Sequence, residues 1–330
     1  MRILCTLLFA LTAYCTNAQT QNGVVKGTGP DGSPEEKTYR KGVLKGPYKS
    51  FYADQKLRIK GQYDNNLRTG QWKYYKYTDT NIPYVFQFNT YENDTLNGPF
   101  MLMTNDTITE GNYAGNLLNG PWKQYKLAIA SSGDSMRSMI AVGEFREGVK
   151  AGHWKLYNEH GISKEGDYFL GQMSGQWKTY GAYTSPPKVM IESRYRKGKK
   201  DGREIQYFEY KSVPIPCKNP NARNCFDHKK VNIRREAIYN QGKLQGPYTV
   251  KGPDGKLLAK GEYIDGEKVG KWQEWNDEYR MMMYANYFDG RLAGPVTFQN
   301  EQGKTMISGS YNDNIKNSKW VWYRNDGTVE

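Results

Sequence analysis

The chain has 330 residues, of which 14% are aromatic, and a formal net charge of +13. Beyond the N-terminus no run approaches the 18 apolar residues of a membrane span, so we predict that the mature chain has no transmembrane helix. The length would allow two domains, but a repeat that runs through most of the chain favours a single one.

Residues 1–18 have the features of an export signal. Arg2 supplies a positive start, Ile3–Tyr14 is the apolar run, and Ala18 closes a short stretch of small residues where cleavage is expected. Cys15 raises the alternative of a lipoprotein, although Tyr14 stands where a small residue is wanted. We therefore expect cleavage after Ala18 and a periplasmic or extracellular protein.

Residues 19–38 are polar and rich in Gly and Pro. Such a composition predicts a flexible leader or an irregular cap before the repeats begin.

Residues 39–330 contain a repeated unit. Its skeleton is an aromatic residue, two residues, Gly, three residues, Gly, one residue, an aromatic, two residues and an aromatic, as in Tyr263–Trp275. The last three steps are each 24 residues, and a period of this size indicates a repeat architecture. The eleven copies begin at Tyr39, Tyr63, Tyr91, Tyr113, Phe145, Tyr168, Tyr195, Tyr239, Tyr263, Tyr287 and Tyr311.

The glycine positions predict turns. The first holds Gly, Asn or Asp in all eleven copies, which are the residues that tolerate a positive φ. The second is Gly in ten copies and Ser318 in the last, and proline follows it in five, which suits the first residue of a strand. Flanking segments such as Leu257–Ile264 are short and aromatic-rich, as strands are. We predict an all-β fold in which tandem β-hairpins form an elongated, twisted single-sheet ribbon.

The third repeat position holds six of the eight tryptophans. We interpret them as a structural ladder in the core, because a thin sheet needs large aromatic burial. The alternative is an aromatic platform that binds sugars or lipid. Glu204 and Val296 depart from the aromatic character of this position. The six tryptophans are Trp72, Trp122, Trp154, Trp177, Trp272 and Trp320.

The two longest steps between copies are 32 residues, from Tyr113 to Phe145, and 44 residues, from Tyr195 to Tyr239. They locate insertions at Leu127–Ile140 and around Lys211–Arg235, which we expect to form surface loops. The second insertion contains Cys217 and Cys225, which we predict to form a disulfide in an exported protein. A metal site is the alternative, but His228 alone leaves the ligand set incomplete.

The same region concentrates positive charge. Between Arg194 and Arg235 there are thirteen basic and four acidic residues, a net charge of +9 within 42 residues. We expect this segment to contact an anionic partner, and in an exported protein lipid headgroups or an acidic glycan fit better than nucleic acid. The alternative is a solvated segment that only maintains solubility. The predicted binding residues are Arg194, Arg196, Lys197, Lys199, Lys200, Arg203, Lys229, Lys230, Arg234 and Arg235.

The sequence contains no recognisable catalytic constellation. Of the three histidines, His153 and His160 lack a repeated acidic or nucleophilic partner, and His228 lies near the two cysteines of the second insertion. No pair of carboxylates stands out for glycoside hydrolysis, and the glycines form neither a GxGxxG motif nor a P-loop. We therefore expect no enzyme activity, no cofactor and no metal.

The pattern G-x-Y-x-x-G-x-x-x-G-x-W-x-x-Y, almost complete in Gly166–Tyr180 and Gly261–Trp275, resembles MORN repeats. It looks most like the bacterial variant in YwqK-family antitoxin repeat proteins, and the resemblance covers Tyr39–Tyr323. It implies a ribbon of β-hairpins that binds membranes or acts as a protein scaffold. The sequence departs from the eukaryotic form, which often has His before the second glycine, where Ala151, Ser174 and Val269 stand here.

Together these features predict an exported, non-enzymatic binding or scaffolding protein. Its basic segment is expected to contact an anionic envelope surface. The alternatives are a glycan-binding protein that uses exposed repeat aromatics, and an antitoxin-like protein that neutralises a partner.

Overall fold

The computed structural model describes residues 21–129, 135–181, 187–216 and 226–330, without the side chains of 128, 129, 135 and 208–232. The predicted export signal and the predicted Cys217–Cys225 disulfide lie outside the described residues and stay predictions. The chain divides into two compact units. Unit 1 comprises the residues up to Thr104 together with Asn112–Leu117, and unit 2 comprises Asn105–Gly111 and Leu118–Glu330.

Unit 1 is built from antiparallel strands: from β1 to β6 each pairs with the next along the chain, and β6 then pairs with both β7 and β8. Its strands are β1 (Gly23–Thr28), β2 (Pro34–Arg40), β3 (Val43–Phe51), β4 (Leu57–Asp64), β5 (Leu67–Tyr77), β6 (Pro83–Glu92), β7 (Thr95–Leu96) and β8 (Gly98–Met103).

Unit 2 repeats the same antiparallel order, and β9 (Thr107–Ala114) and β10 (Leu117–Leu118) contribute residues to both units. The prediction of an all-β fold of tandem hairpins is confirmed. The further strands are β11 (Gly120–Ile129), β12 (Ser135–Arg146), β13 (Val149–Asn158), β14 (Gly161–Phe169), β15 (Gln172–Tyr180), β16 (Val189–Arg196), β17 (Lys199–Pro216), β18 (Phe226–Asn240), β19 (Lys243–Lys251), β20 (Leu257–Ile264), β21 (Glu267–Asn276), β22 (Met281–Phe288), β23 (Arg291–Leu292), β24 (Gly294–Gln299), β25 (Thr305–Asn312) and β26 (Ile315–Trp322).

The described part of the chain contains no helix long and apolar enough to cross a membrane.

The segment predicted as a flexible leader or irregular cap contains a hairpin instead. Strand β1 pairs with β2 from Gly23 opposite Tyr39 to Thr28 opposite Pro34. Between them Pro30-Asp31-Gly32 makes the turn, in which Gly32 has a φ of 80° and the Ser33 backbone N–H donates to Asp31. Pro, Asp and Gly thus act here as specific turn residues rather than as marks of flexibility.

The first glycine positions form two-residue hairpin turns, as predicted. Their φ values are positive in all eleven copies, from 61° at Asp94 to 94° at Gly266. The residue before each also has a positive φ, from 46° at Asp289 to 57° at Gly115. Two consecutive positive φ values define a type I′ turn, whose twist matches that of the flanking strands.

The second glycine positions mark β-bulges. Their φ is positive in every copy, and even Ser318 adopts 65°. Opposite Gly175, the register of β14 against β15 shifts between Glu165 and Asp167, so the bulged strand carries extra residues there. The bulge turns the side chain that follows it by two residues, the repeat tryptophan, onto one face of the sheet.

The core of each unit lies on that face, which we call the aromatic face. Five of the repeat tryptophan rings lie flat on the glycine that stands two residues before the first aromatic of the same copy, and a Cβ on that glycine would come within 3.0 Å of the ring. Trp154, Trp177 and Trp272 are 0–1% exposed. The contacting pairs are Trp72–Gly61, Trp154–Gly143, Trp177–Gly166, Trp272–Gly261 and Trp320–Gly309.

Both insertions lengthen hairpins rather than forming only loops. Strands β17 and β18 stay paired from Gly202 opposite Tyr239 to Pro216 opposite Phe226. Strands β11 and β12 pair as far as Ile129 opposite Ser135. Added residues that keep forming ladder hydrogen bonds satisfy their backbone groups better than an open loop would.

Candidate functional site

The structure distributes the predicted basic residues over both faces of unit 2. Alternate strand residues point to opposite faces. Lys200 lies on the aromatic face, 4.8 Å from the Tyr239 ring centroid, and Arg235 lies there beside Glu204. The opposite face, which we call the polar face, carries Arg194, Arg196, Lys199, Arg203 and Arg234, while Lys197 occupies a turn. Lys229 and Lys230 belong to β18, but their side chains are outside the described residues.

Carboxylates neutralise several of the polar-face cations. Arg196 contacts Asp201 at 2.7 Å, and the hydrogen bond from Arg196 holds the pKa of Asp201 below its usual range. Arg203 and Arg234 both contact Glu236, at 2.6 and 2.7 Å. The hydrogen bond from Arg203 lowers the pKa of Glu236. These residues therefore contribute less free positive charge than their number suggests.

Arg194 differs from these neighbours. Among the described residues no carboxylate lies within ion-pair distance of its guanidinium, and the side chain is exposed. It lies over Gly202, where a Cβ would be 3.1 Å from the Arg194 Cδ, and Gly202 has a φ of 107°. The bulge glycine thus leaves room for the arginine stem to lie flat across the strand.

Arg194 lines two adjacent open clefts on the polar face. One has a volume of about 400 Å³ and the other about 290 Å³. The larger includes Glu192, which accepts a hydrogen bond of 2.9 Å from the Gln176 side-chain amide, and Ile205, which is 8% exposed. An exposed guanidinium beside an apolar floor and a polar rim can bind a carboxylate or a phosphate.

A related cleft further along unit 2 carries the opposite charge at the same repeat position. It has a volume of about 450 Å³ and is lined by Glu262 where the first cleft has Arg194. Both residues directly precede the first repeat aromatic, and Glu144 and Asp167 occupy this position in other copies. Arg194 is the only basic residue at this position in the eleven copies, a signal that is present in the sequence itself.

In the copy that carries Arg194, the aromatic face has a carboxylate in place of a ring. Glu204 replaces the repeat tryptophan and is 2% exposed. It accepts a 2.6 Å hydrogen bond from the Ser193 hydroxyl, forms an ion pair with Lys200, and lies 3.7 Å from Arg235. The hydrogen bond and the Lys200 ion pair both involve Oε2, whereas Oε1 is buried without a hydrogen-bond partner among the described residues and has only Arg235 nearby.

The repeat tryptophans serve mainly as core. Trp72 is 4% exposed, and Trp154, Trp177 and Trp272 are still more buried, whereas Trp122 and Trp320 are half-buried. Cations cover several rings as well: the Lys150 Nζ lies 4.3 Å from the Trp154 ring centroid. Burial lowers the pKa of Lys150. The most buried rings therefore offer no open face on which a sugar could stack.

His153 has acidic partners that its sequence position did not reveal. On the polar face its Nδ1 lies 3.0 Å from Asp167 and its Nε2 lies 3.5 Å from Glu165. Glu165 also accepts a hydrogen bond from the Tyr180 hydroxyl, which is the main reason that its pKa is lowered. Both ring nitrogens are thus engaged by carboxylates, which is the arrangement of a cross-strand pair.

Within the described ranges, no group of three or more His, Cys, Asp or Glu side chains is arranged to hold a metal ion. Comparison of the chain with protein-family models and with curated proteins returns no match.

Proposed function

We propose that this chain is an exported, non-enzymatic binding or scaffolding module that contacts an anionic envelope component through the polar face around β15–β18. One observation carries the proposal. Arg194 is exposed and lines two clefts, and in the described part of the chain it has no carboxylate partner. A cation that the fold does not neutralise is available to a ligand.

The ligand chemistry follows from the cleft. A carboxylate or phosphate can pair with Arg194, and its neighbouring atoms can contact Ile205 on the cleft floor. Lys197 and Lys199 also lack a carboxylate partner among the described residues, so they add a diffuse positive field nearby. Lipid headgroups and acidic glycans both present such anions. The resemblance to MORN repeats supports a scaffolding role for the rest of the array.

Binding of defined anionic probes tests the proposal. Wild-type protein is sedimented with anionic vesicles, with neutral vesicles and with an acidic polysaccharide, at low and at physiological salt. We expect salt-sensitive binding to an anionic probe, weakened about tenfold by Arg194→Glu. Lys271→Glu is the matched control, because Lys271 is an exposed lysine that lines the related cleft.

The outcomes separate the ligand sources. Binding to vesicles alone assigns lipid headgroups, and binding to the polysaccharide alone assigns an acidic glycan. Equal binding by the Arg194→Glu and Lys271→Glu proteins would overturn the proposed site. Binding of a neutral glycan that Arg194→Glu leaves unchanged would favour the alternative of glycan recognition. Lys200 is unsuitable for charge reversal because it is an ion-pair partner of buried Glu204.

Export is tested separately. The apolar run Ile3–Tyr14 and the small residues up to Ala18 support it. N-terminal sequencing of the protein from the source cells should begin at Gln19. A chain that begins at Met1 or carries lipid on Cys15 would contradict cleavage after Ala18.

A further inference from the structure

The hairpin tip between β14 and β15 exposes two large apolar side chains. Phe169 is 69% exposed and Leu170 is 72% exposed. Leu170 and Gly171 form the two central residues of the type I′ turn, and Phe169 pairs with Gln172 across it. Both side chains therefore project from the end of the hairpin.

Leu170 occupies a backbone conformation that disfavours it. Its φ is 49°, in the left-handed region where a Cβ-bearing residue other than Asn or Asp is strained. The other ten copies have Lys, Asn, Gly, Glu, Gln or Asp at this position, and only this copy has an apolar residue. Leu170 thus gains little burial and costs conformational energy, a combination that points to a role outside folding.

The surroundings of this tip are apolar at the centre and basic at one side. Val149, on the preceding hairpin, is 41% exposed. Its Cβ lies 3.5 Å from the point where a Cβ on Gly171 would stand, so the two tips are neighbours. The following tip carries Lys197, and Lys199 begins the next strand. The Gly198 backbone N–H donates to the Met173 carbonyl at 3.0 Å, which ties the basic tip to the hairpin that carries Leu170.

We propose that the Phe169–Leu170 tip is an anchor that inserts into an apolar pocket, rimmed by carboxylates, on a partner protein. The apolar side chains fill the pocket, and Lys197 and Lys199 face its acidic rim. This goes beyond the anionic contact at Arg194 and does not depend on it.

The neighbouring tips favour a protein pocket over a bilayer. Successive hairpins stand about 10 Å apart, so a flat membrane would meet several tips at once. Exposed acids occupy the Leu170 position in other tips of unit 2 and would face anionic headgroups. These acids are Glu147, Asp265, Asp289 and Asp313.

A display library of folded, domain-sized fragments from the source genome tests the proposal with the full mature chain as bait. The tip variant carries Phe169→Ser and Leu170→Asn, and Asn is compatible with a positive φ. Phe288→Ser is the matched control, because Phe288 stands at the same repeat position as Phe169 and is 72% exposed. We expect a fragment that binds wild type and Phe288→Ser equally and binds the tip variant at least about 100-fold more weakly.

The contribution of charge is measured on the purified fragment. Lys197→Glu with Lys199→Glu should weaken its binding about tenfold and make the remaining binding less sensitive to salt. Thermal unfolding should show that the tip variant is at least as stable as wild type, because Asn relieves the strain at this φ, so that lost binding is not lost folding. Recovery of no tip-dependent fragment would overturn the proposal. Vesicle binding that disappears in the tip variant would also overturn it, by assigning the tip to a bilayer. The Arg194→Glu protein reports the proposed function independently.

Discussion

Two consecutive copies in unit 2 use the same pair of positions in opposite ways. In the first, the Trp177 ring lies flat on Gly166, and its indole N–H donates to the Asp167 carbonyl at 3.1 Å. In the next, Ser193 and Glu204 take the places of glycine and tryptophan and hydrogen-bond at 2.6 Å. Both arrangements are buried, but one depends on ring packing and the other on a charge network.

The difference shows that the two positions form one structural unit. A flat ring needs a partner without a Cβ, whereas a carboxylate needs a donor, and Ser193 supplies one. Lys200 and Arg235 then compensate the charge of Glu204 on the aromatic face. The copy in which Ser193 and Glu204 replace glycine and tryptophan also carries Arg194, on the polar face. The copy that departs from the repeat is therefore the one that contains the proposed site.

Removing a ring should have the largest effect. Trp177→Ala deletes a fully buried side chain and leaves a cavity over Gly166, so we expect a loss of about 3–5 kcal/mol in the free energy of unfolding. Urea denaturation measures the loss, and hydrogen exchange locates it in β14–β16, because repeat arrays unfold locally. A loss below about 1 kcal/mol would show that the ladder is not the core.

Replacing Ser193 and Glu204 by the glycine and tryptophan of the other copies tests whether the two positions are energetically coupled. Glu204→Trp alone should destabilise unit 2, because the new ring meets the Ser193 side chain. Adding Ser193→Gly should recover stability to the wild-type level or above, with a coupling energy of about 1–3 kcal/mol. A thermodynamic cycle of the four proteins by urea denaturation measures it. Additive effects of the two substitutions would contradict the pairing.

The pKa values of the tyrosines near Glu204 should respond to its charge, whereas that of Tyr263, farther along unit 2, should not. Burial, followed by the field of Tyr248, raises the pKa of Tyr263 from 10.0 to about 12. Burial and then Glu204 raise the pKa of Tyr195 and of Tyr239. Glu204→Gln should lower the last two pKa values and leave that of Tyr263 unchanged, as measured by NMR of the ring carbons. Equal shifts at all three would point to a general loosening of the fold.

The same tyrosines determine whether the free energy of unfolding rises or falls at alkaline pH. A pKa that folding raises means that the folded state keeps a proton which the unfolded state releases. The contribution of Tyr263 to stability is therefore intact below pH 10 and is lost as the pH rises from 10 through about 12. Because the ring is half-exposed, we expect about 1 kcal/mol from it, measured as the pH dependence of the urea midpoint. A constant midpoint between pH 9 and 11.5 would contradict this.

Replacing Lys150, a cation that lies over the aromatic rings of the core, should change the free energy of unfolding least. Lys150 contacts the Trp154 and Tyr168 rings, while other copies have Leu244 or Leu292 at this position. Lys150→Leu exchanges a cation–π contact for apolar packing, so we expect a change of less than about 1 kcal/mol. Thermal and urea unfolding measure it. Lys268→Leu provides the comparison, because it also breaks the ion pair with Glu274.

Much of the fold was predictable because it depends on residues with narrow backbone preferences. Gly, Asn and Asp marked every type I′ turn, since few other residues adopt a positive φ there without strain. The tryptophan column indicated the core because a ring of that size must be buried in a thin sheet. Local preferences are less specific at Pro30-Asp31-Gly32, because the same residues fit both a flexible leader and the tight turn that the structure shows.

The candidate site was only partly predictable, because charge balance depends on which side chains meet across strands. Arg203 and Glu236 are 33 residues apart in the sequence and 2.6 Å apart in the structure. Likewise, His153 meets Asp167 and Glu165 only through the register of β13 on β14. Counting basic residues therefore located the region but did not separate Arg194 from its neutralised neighbours.

The sequence by itself determined the hairpin repeat, its turns and the residues of its core, because these depend on local backbone chemistry and on periodic burial. Only the tertiary structure decided which cations stay unpaired, which face each one occupies, and that Ser193 and Glu204 replace a glycine–tryptophan contact. Those outcomes depend on strand register and on bulges, which bring together residues from different copies and which no single stretch of sequence specifies.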